Sequence, residues 1–249
     1  MPPSDDALFE RDTPIRLVHA DVVGMMVGGI TALLLQMLHP HALRGVLDHS
    51  NFRADMHGRL RRTARFIAVT TYGAREAAEG EIARVNRIHA HVKGTLPDGT
   101  HYSATDPATL AWVHLAEAWS FLAAHLRYVR PNMSAADQDR YYVQFGLIAK
   151  KLHAAPVPET RSEAAELMLS MREQLKGSSD AREVARLILR PQGTGAAAAA
   201  QPFLNAAAVD LLPPYARTML GLKAPGIGAL PTRLATGALG GTLRWAFRR

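Results

Sequence analysis

The run from Val22 to Leu38, VVGMMVGGITALLLQML, carries no charged side chain over 17 positions. Any fold of this chain must hide it from water. As a helix it would reach about 25 Å, short of the roughly 30 Å core of a bilayer, and it contains three glycines. A buried core helix is therefore expected, not a membrane span. With 249 residues, the chain is long enough for one globular domain with an appendage. The opening MPPSDDALFERDTPIR is acidic and Pro-rich and lacks a positive region followed by an apolar one. No secretory or twin-arginine signal is read there, and a cytoplasmic location is expected.

Around that run the punctuation is helical. Asp106-Pro107 supplies an N-cap followed by proline at the first helical position, opening a helix to about Val129. Ser134 with Asp137 resembles a capping box for a helix to about His153, and Thr160 with Glu163 forms one for a helix to about Lys176. Asp180 to Arg190 is a further helix, stopped by Pro191. The low-complexity segment Gln192 to Ala200 is expected to separate the bundle from a C-terminal part that Pro202, Pro213, Pro214, Pro225 and Pro231 break into short helices. The exception is residues 91–104, where two short runs flank Pro97-Asp98-Gly99, a turn triplet. These signals predict an all-α fold: a single helical-bundle domain with one small β-hairpin.

Charge and cysteine content narrow the function. The chain has no cysteine, which excludes disulfide scaffolds, thiolate metal sites and cysteine-ligated heme. The formal net charge is +7, yet residues 211–249 hold six basic residues and no acidic one, leaving residues 1–210 nearly neutral. A nucleic-acid binder spreads its basic residues over a folded face, so no nucleic-acid partner is expected. The tail ALPTRLATGALGGTLRWAFRR instead mixes arginines with apolar residues, Trp245 and Phe247 among them. That composition suits an anionic membrane surface, or equally a docked terminus.

Of eleven histidines, nine fall between residues 39 and 125. Within residues 35–73, Arg59, Arg62 and Thr63 are spaced to share one helix face, which Phe66 and Thr70 extend. Two guanidiniums on that face either meet an anionic or polar partner or form a solvated stripe. In residues 81–94, Ile82, Val85, His89 and Val92 follow a helical apolar spacing, so an imidazole lies in an apolar stripe. It needs a hydrogen-bond acceptor or a metal.

Several motifs then occur in a specific order: His39-Pro40, Asp48-His49-Ser50, Arg59-x-x-x-Thr63, Tyr72-Gly73, His89-x-x-Val92-x-Gly94, the Asp98-Gly99 turn, and Asp106-Pro107-x-x-Leu110-x-Trp112-Val113-His114. Over about residues 17–155 the chain resembles the bacterial rubber oxygenases, or latex-clearing proteins, and the fungal MpaB-type oxygenases. Known members are all-helical proteins that hold heme b between helices and use dioxygen to cleave carbon–carbon double bonds of isoprenoid chains.

The resemblance implies that His89 is the proximal iron ligand, with Arg59 and Thr63 as polar distal residues. Arg62 stands where the rubber oxygenases carry a lysine able to ligate iron. A guanidinium stays protonated and has no lone pair to give, so Arg62 is expected instead to pair with a propionate or donate to bound oxygen. His39, His49 and His114 are secondary site candidates. The implied function is a heme-dependent oxygenase acting on a hydrophobic, isoprenoid- or lipid-like molecule. The implied organisation is an N-terminal arm over 1–16, a helical oxygenase-like catalytic domain over 17–191, and a connector with a basic extension over 192–249. Two other functions fit parts of the sequence: a non-catalytic heme or lipid binder, and a non-heme metal hydrolase using His39, His41 and His49 with Asp48 or Asp55. The hydrolase lacks a recognisable ligand-plus-base motif.

Overall fold

The uncharged run forms a central helix. A computed structural model describes residues 4–50, 56–190 and 195–223, with the side chains of residues 56, 57, 59, 60 and 195–198 outside the description. A short helix α1 (Pro14–Ala20) bends by 91° into α2 (Val22–Gln36). Asp21 stands between them, its carboxylate accepting from the Gly24 amide at 2.7 Å. Thr31 to Leu38 are all buried, as an all-round apolar helix requires. Among the described residues no single helix is long and apolar enough to cross a membrane; α1 and α2 pass that test only as a bent pair.

Nine further helices and one hairpin follow among the described residues: α3 (Pro40–His49), α4 (Met56–Tyr72), α5 (Arg75–His89), β1 (Lys93–Thr95), β2 (His101–Ser103), α6 (Pro107–Tyr128), α7 (Ala135–Lys151), α8 (Arg161–Ser170), α9 (Ser179–Leu189), α10 (Gly195–Leu211) and α11 (Pro214–Leu220). The fold is all-α with one antiparallel hairpin, as the sequence predicts. The main partner of α2 is α6, with α9 and α10 also packed on it. Where α2 meets α6 the backbones nearly touch. A Cβ added to Gly28 would lie 2.7 Å from Phe121 Cδ1 and 2.9 Å from its Cα.

The capping residues do what their types allow. Asp106 accepts from the Thr109 amide at 2.7 Å, Ser134 from Asp137 at 3.1 Å, and Thr160 from Glu163 at 3.2 Å. Two boundaries differ from expectation. The helix that begins at Arg161 ends at Ser170 and tightens into a 3₁₀ turn, Met171–Gln174, so it does not reach Lys176. The Lys176 amide is engaged by the Leu38 carbonyl at 2.8 Å, a bond that a continued helix would forgo. Pro202 lies inside α10 and does not break it. Leu204, Ala207 and Ala208 are buried there, and Thr31 Oγ1 donates to the Ala208 carbonyl at 3.2 Å. This packing outweighs the one backbone bond that proline removes.

The core also holds imidazoles. His19 on α1 sits edge-on to Phe121 and Phe145, its Nδ1 2.9 Å from Thr71 Oγ1 and its Nε2 3.4 Å from the Tyr141 hydroxyl. The His114 ring lies 4.5 Å from that of Phe145. His125 is buried with no partner on either ring nitrogen. Burial lowers the His19 pKa to about 3, with His125 and His114 adding repulsion, and burial alone lowers His114 to about 3. Both are neutral at ordinary pH.

Two stability measurements check this packing. Gly28→Ala is expected to destabilise by about 1–3 kcal/mol through overpacking at the α2–α6 crossing. Gly80→Ala, on α5 with nothing within 4 Å of the added carbon, is expected to stabilise by about 0.5–1 kcal/mol; urea unfolding reads both. In the unfolded chain each buried histidine titrates near 6.5. The unfolded state therefore holds the extra proton between pH 6.5 and about 3, and stability falls as the pH drops through that window. The slope is about 1.4 kcal/mol per pH unit for each group, and His114→Leu is expected to flatten the dependence of the urea midpoint on pH.

Candidate active site

The leading candidates lie on the two helices of the α4–α5 hairpin. Its turn, Gly73-Ala74, is pinned from outside by the N-terminal segment: Ser4 N donates to Tyr72 O at 2.8 Å and Arg75 N to Asp6 O at 2.6 Å. Between the helices, the buried Glu81 carboxylate takes Arg65 of α4 at 3.1 Å and Arg84 of α5 at 2.8 Å. A buried carboxylate persists only when paired in this way. The Arg65–Glu81 pair also fixes the register of the hairpin. His89, the last residue of α5, falls level with the first turn of α4, which carries Arg59, and roughly 9 Å along the axis from Thr63.

His89 is half-buried, and its Nδ1 is buried with no hydrogen-bond partner. Burial lowers its pKa, so the ring is a neutral imidazole with a lone pair to offer. Above it in the stripe, Ile82 is buried and Val85 half-buried. Val92 is not on this helix, because the chain turns after His89: the Val92 amide bonds back to the His89 carbonyl at 3.0 Å and β1 begins at Lys93. On α4, Thr63 is half-buried and Arg62 exposed. The Arg59 side chain lies outside the described residues.

The secondary candidates sit elsewhere. His39 is the N-cap of α3, buried, with Nδ1 unpartnered and its ring edge-on to His41 at 5.4 Å. Burial lowers its pKa, helped by His41 and opposed by Gln174 and Asp106. His49 ends α3 and turns to the hairpin, its Nε2 3.1 Å from both the Lys93 carbonyl and the Tyr102 hydroxyl. His114 belongs to the core cluster with His19. A metal-hydrolase centre has no support among the described residues, where no three His, Asp or Glu side chains converge. Asp48 is engaged by Arg44 and Tyr102, and Asp55 lies outside the described residues.

Sequence reasoning missed Glu81, Asp48 and Tyr102 as organisers, and a cleft of about 560 Å³ beside the hairpin lined by His41, Lys93, Thr95, His101, Tyr102 and Asp106. The available signals were the hairpin itself and the acid of the Asp48-His49-Ser50 motif.

Comparison with known proteins bears on this geometry. The model of the family described as ER-bound oxygenase mpaB/B'/Rubber oxygenase, catalytic domain, matches residues 16–245. No curated protein sequence and no solved structure matches the chain. The matched span includes the helix hairpin, the α3–hairpin corner and the histidine core. The chain belongs to the mpaB/rubber oxygenase catalytic-domain family and is, at that general level, an oxygenase-type domain.

Proposed function

We propose that this protein is a heme b-dependent oxygenase that uses dioxygen on a hydrophobic, isoprenoid- or lipid-like molecule, with cleavage of a carbon–carbon double bond as its reaction. The observation that carries the proposal is His89: a neutral, half-buried imidazole with an unpartnered nitrogen, in a chain of an oxygenase family. A neutral imidazole of this kind would hold heme iron. Bound there, heme supplies the activation of dioxygen.

The chain's own residues would do the rest. His89 holds the iron from the end of α5. The Thr63 hydroxyl and the Arg59 and Arg62 guanidiniums would supply hydrogen-bond donors from α4 for developing negative charge. The Arg62 guanidinium, with no lone pair to give, would act as a donor or a propionate partner and not as a ligand. The basic tail, outside the described residues, would rest the enzyme on the anionic cytoplasmic face of a membrane, where apolar substrates dissolve.

Hemin reconstitution tests this directly. The wild type is expected to show a Soret band that His89→Ala abolishes or strongly alters; a wild type that stays colourless overturns the proposal. Thr63→Val is expected to retain heme and lose about 100-fold in oxygen consumption with an alkene substrate. Retained heme with no oxygen uptake across an alkene panel would favour the non-catalytic binder. Deleting residues 230–249 is expected to abolish co-sedimentation with anionic liposomes while leaving the Soret band intact.

A further inference from the structure

We infer that Tyr102, acting with Asp48 and His49, is a positioning residue for the His89 imidazole, through a tie that fastens the segment after α5 to the end of α3. This rests on the heme-ligand reading of His89.

The chemistry of the donors fixes the direction of each bond in the tie. Asp48 can only accept when ionised. It receives Arg44 Nε at 2.8 Å and the Tyr102 hydroxyl at 2.6 Å on Oδ2. Burial opposes its ionisation, but those bonds and the Arg44 charge outweigh it and hold the carboxyl below its ordinary pKa. Tyr102 is a lasting donor, because burial and Asp48 push its phenol up to about 12. The Lys93 carbonyl can only accept, so His49 Nε2 carries the proton it donates there at 3.1 Å, and the same nitrogen lies 3.1 Å from the phenol oxygen. Tyr102 thus donates to Asp48 while the single His49 Nε2–H lies within reach of both the Lys93 carbonyl and the phenol oxygen, and together they fasten the end of α3 to the hairpin.

That backbone begins four residues after His89. The Val92 amide bonds to the His89 carbonyl and the Ala104 amide to the Val92 carbonyl at 2.8 Å, so little freedom is left between the imidazole and Lys93. On the other side of His89, Asn86 Nδ2 donates to the Lys151 carbonyl at 3.0 Å. The ligand candidate is thus held between two anchors, one on α7 and one on α3. Tyr102 pairs with Gly94 across the hairpin. Its ring lies so close over β1 that a Cβ on Gly94 would fall 2.7 Å from the phenol oxygen, which explains why glycine stands there. Groups that orient a metal-bound imidazole act in this indirect way and affect metal affinity without touching the metal.

Tyr102→Phe keeps the ring over Gly94 and deletes only the hydroxyl. It is expected to fold, to bind hemin, to lose it to excess apomyoglobin about tenfold faster than the wild type, and to show an altered ferric absorption spectrum. Asp48→Asn provides a second variant with the same expected direction, and His49→Gln, which retains a side-chain N–H for Lys93, is expected to fall closer to the wild type than His49→Ala. Thr95→Val removes the Thr95–His101 bond at 3.2 Å, which lies within the hairpin but outside the tie, and is expected to change neither readout. Amide hydrogen exchange at residues 93–95 of the heme-free protein should accelerate in Tyr102→Phe and not in Thr95→Val. Faster exchange with unchanged heme loss and spectrum overturns the inference, as does a tie variant indistinguishable from the wild type in all three measurements. A wild type that takes up no hemin instead fails the reading of His89 on which the inference stands.

Discussion

Burial of one uncharged helix organises the rest of the molecule. A helix that is apolar on every side cannot lie on a surface; it must be enclosed by others, and here α6, α9, α10 and α1 enclose α2. The closest contact uses Gly28, where the Phe121 backbone approaches to a distance that no side chain would permit. With α2 and α6 locked, the remaining helices take their places relative to that pair. The chain beyond α8 is drawn in by the Leu38 carbonyl, and α10 is held helical through its proline by contact with Thr31.

The hairpin of α4 and α5 is governed by a different force. α4 carries several arginines and no acid, α5 carries three arginines and three glutamates, and the buried Glu81 carboxylate binds an arginine from each helix. A charge removed from water at this position would be costly alone and is tolerated because two partners share it. The same pairing sets which residues of α4 face which residues of α5. His89 thereby stands beside the turn that carries Arg59 rather than at some other level. The site candidates are placed by an electrostatic register, and the fold core by apolar packing.

Legibility in the sequence followed the range of the interactions. Asp106, Ser134 and Thr160 announced their helices because a capping side chain reaches only three residues ahead, and Pro97-Asp98-Gly99 announced its turn for the same reason. The end of α8 was not legible, since it depends on a bond between Lys176 and Leu38. Nor was the persistence of α10 past Pro202, which depends on α2. The placement of His89 after Ile82 and Val85 was readable from spacing, and so was the Arg84 neighbour of Glu81 one turn on, but nothing local marked Arg65 of α4 as its second partner. Val92 shared the spacing of Ile82, Val85 and His89 but left the helix, because periodicity cannot see where a chain turns into a strand. Tyr102 and Asp48 lie 54 residues apart, and no local pattern links them.

The density of histidines was the strongest hint of a cofactor, and the structure divides them by accessibility. His19, His114 and His125 are buried in the core among Phe121, Tyr141 and Phe145, where a porphyrin-sized group could reach them only by opening the bundle. Their lowered pKa values, with burial as the largest cause, describe imidazoles kept neutral by packing. His39 is equally enclosed, and His49 is committed to Lys93 and Tyr102. His41 and His89 are both half-buried with an unpartnered Nδ1, so burial alone does not choose between them. Their surroundings do. His41 opens onto the cleft beside the β-hairpin, whose lining includes Lys93, His101 and Asp106, whereas His89 follows Ile82 and Val85 on a helical hairpin whose other helix carries Arg59, Arg62 and Thr63. His89 lies at the end of a helix packed against the one that carries Arg59, Arg62 and Thr63, and on that placement the proposed function rests.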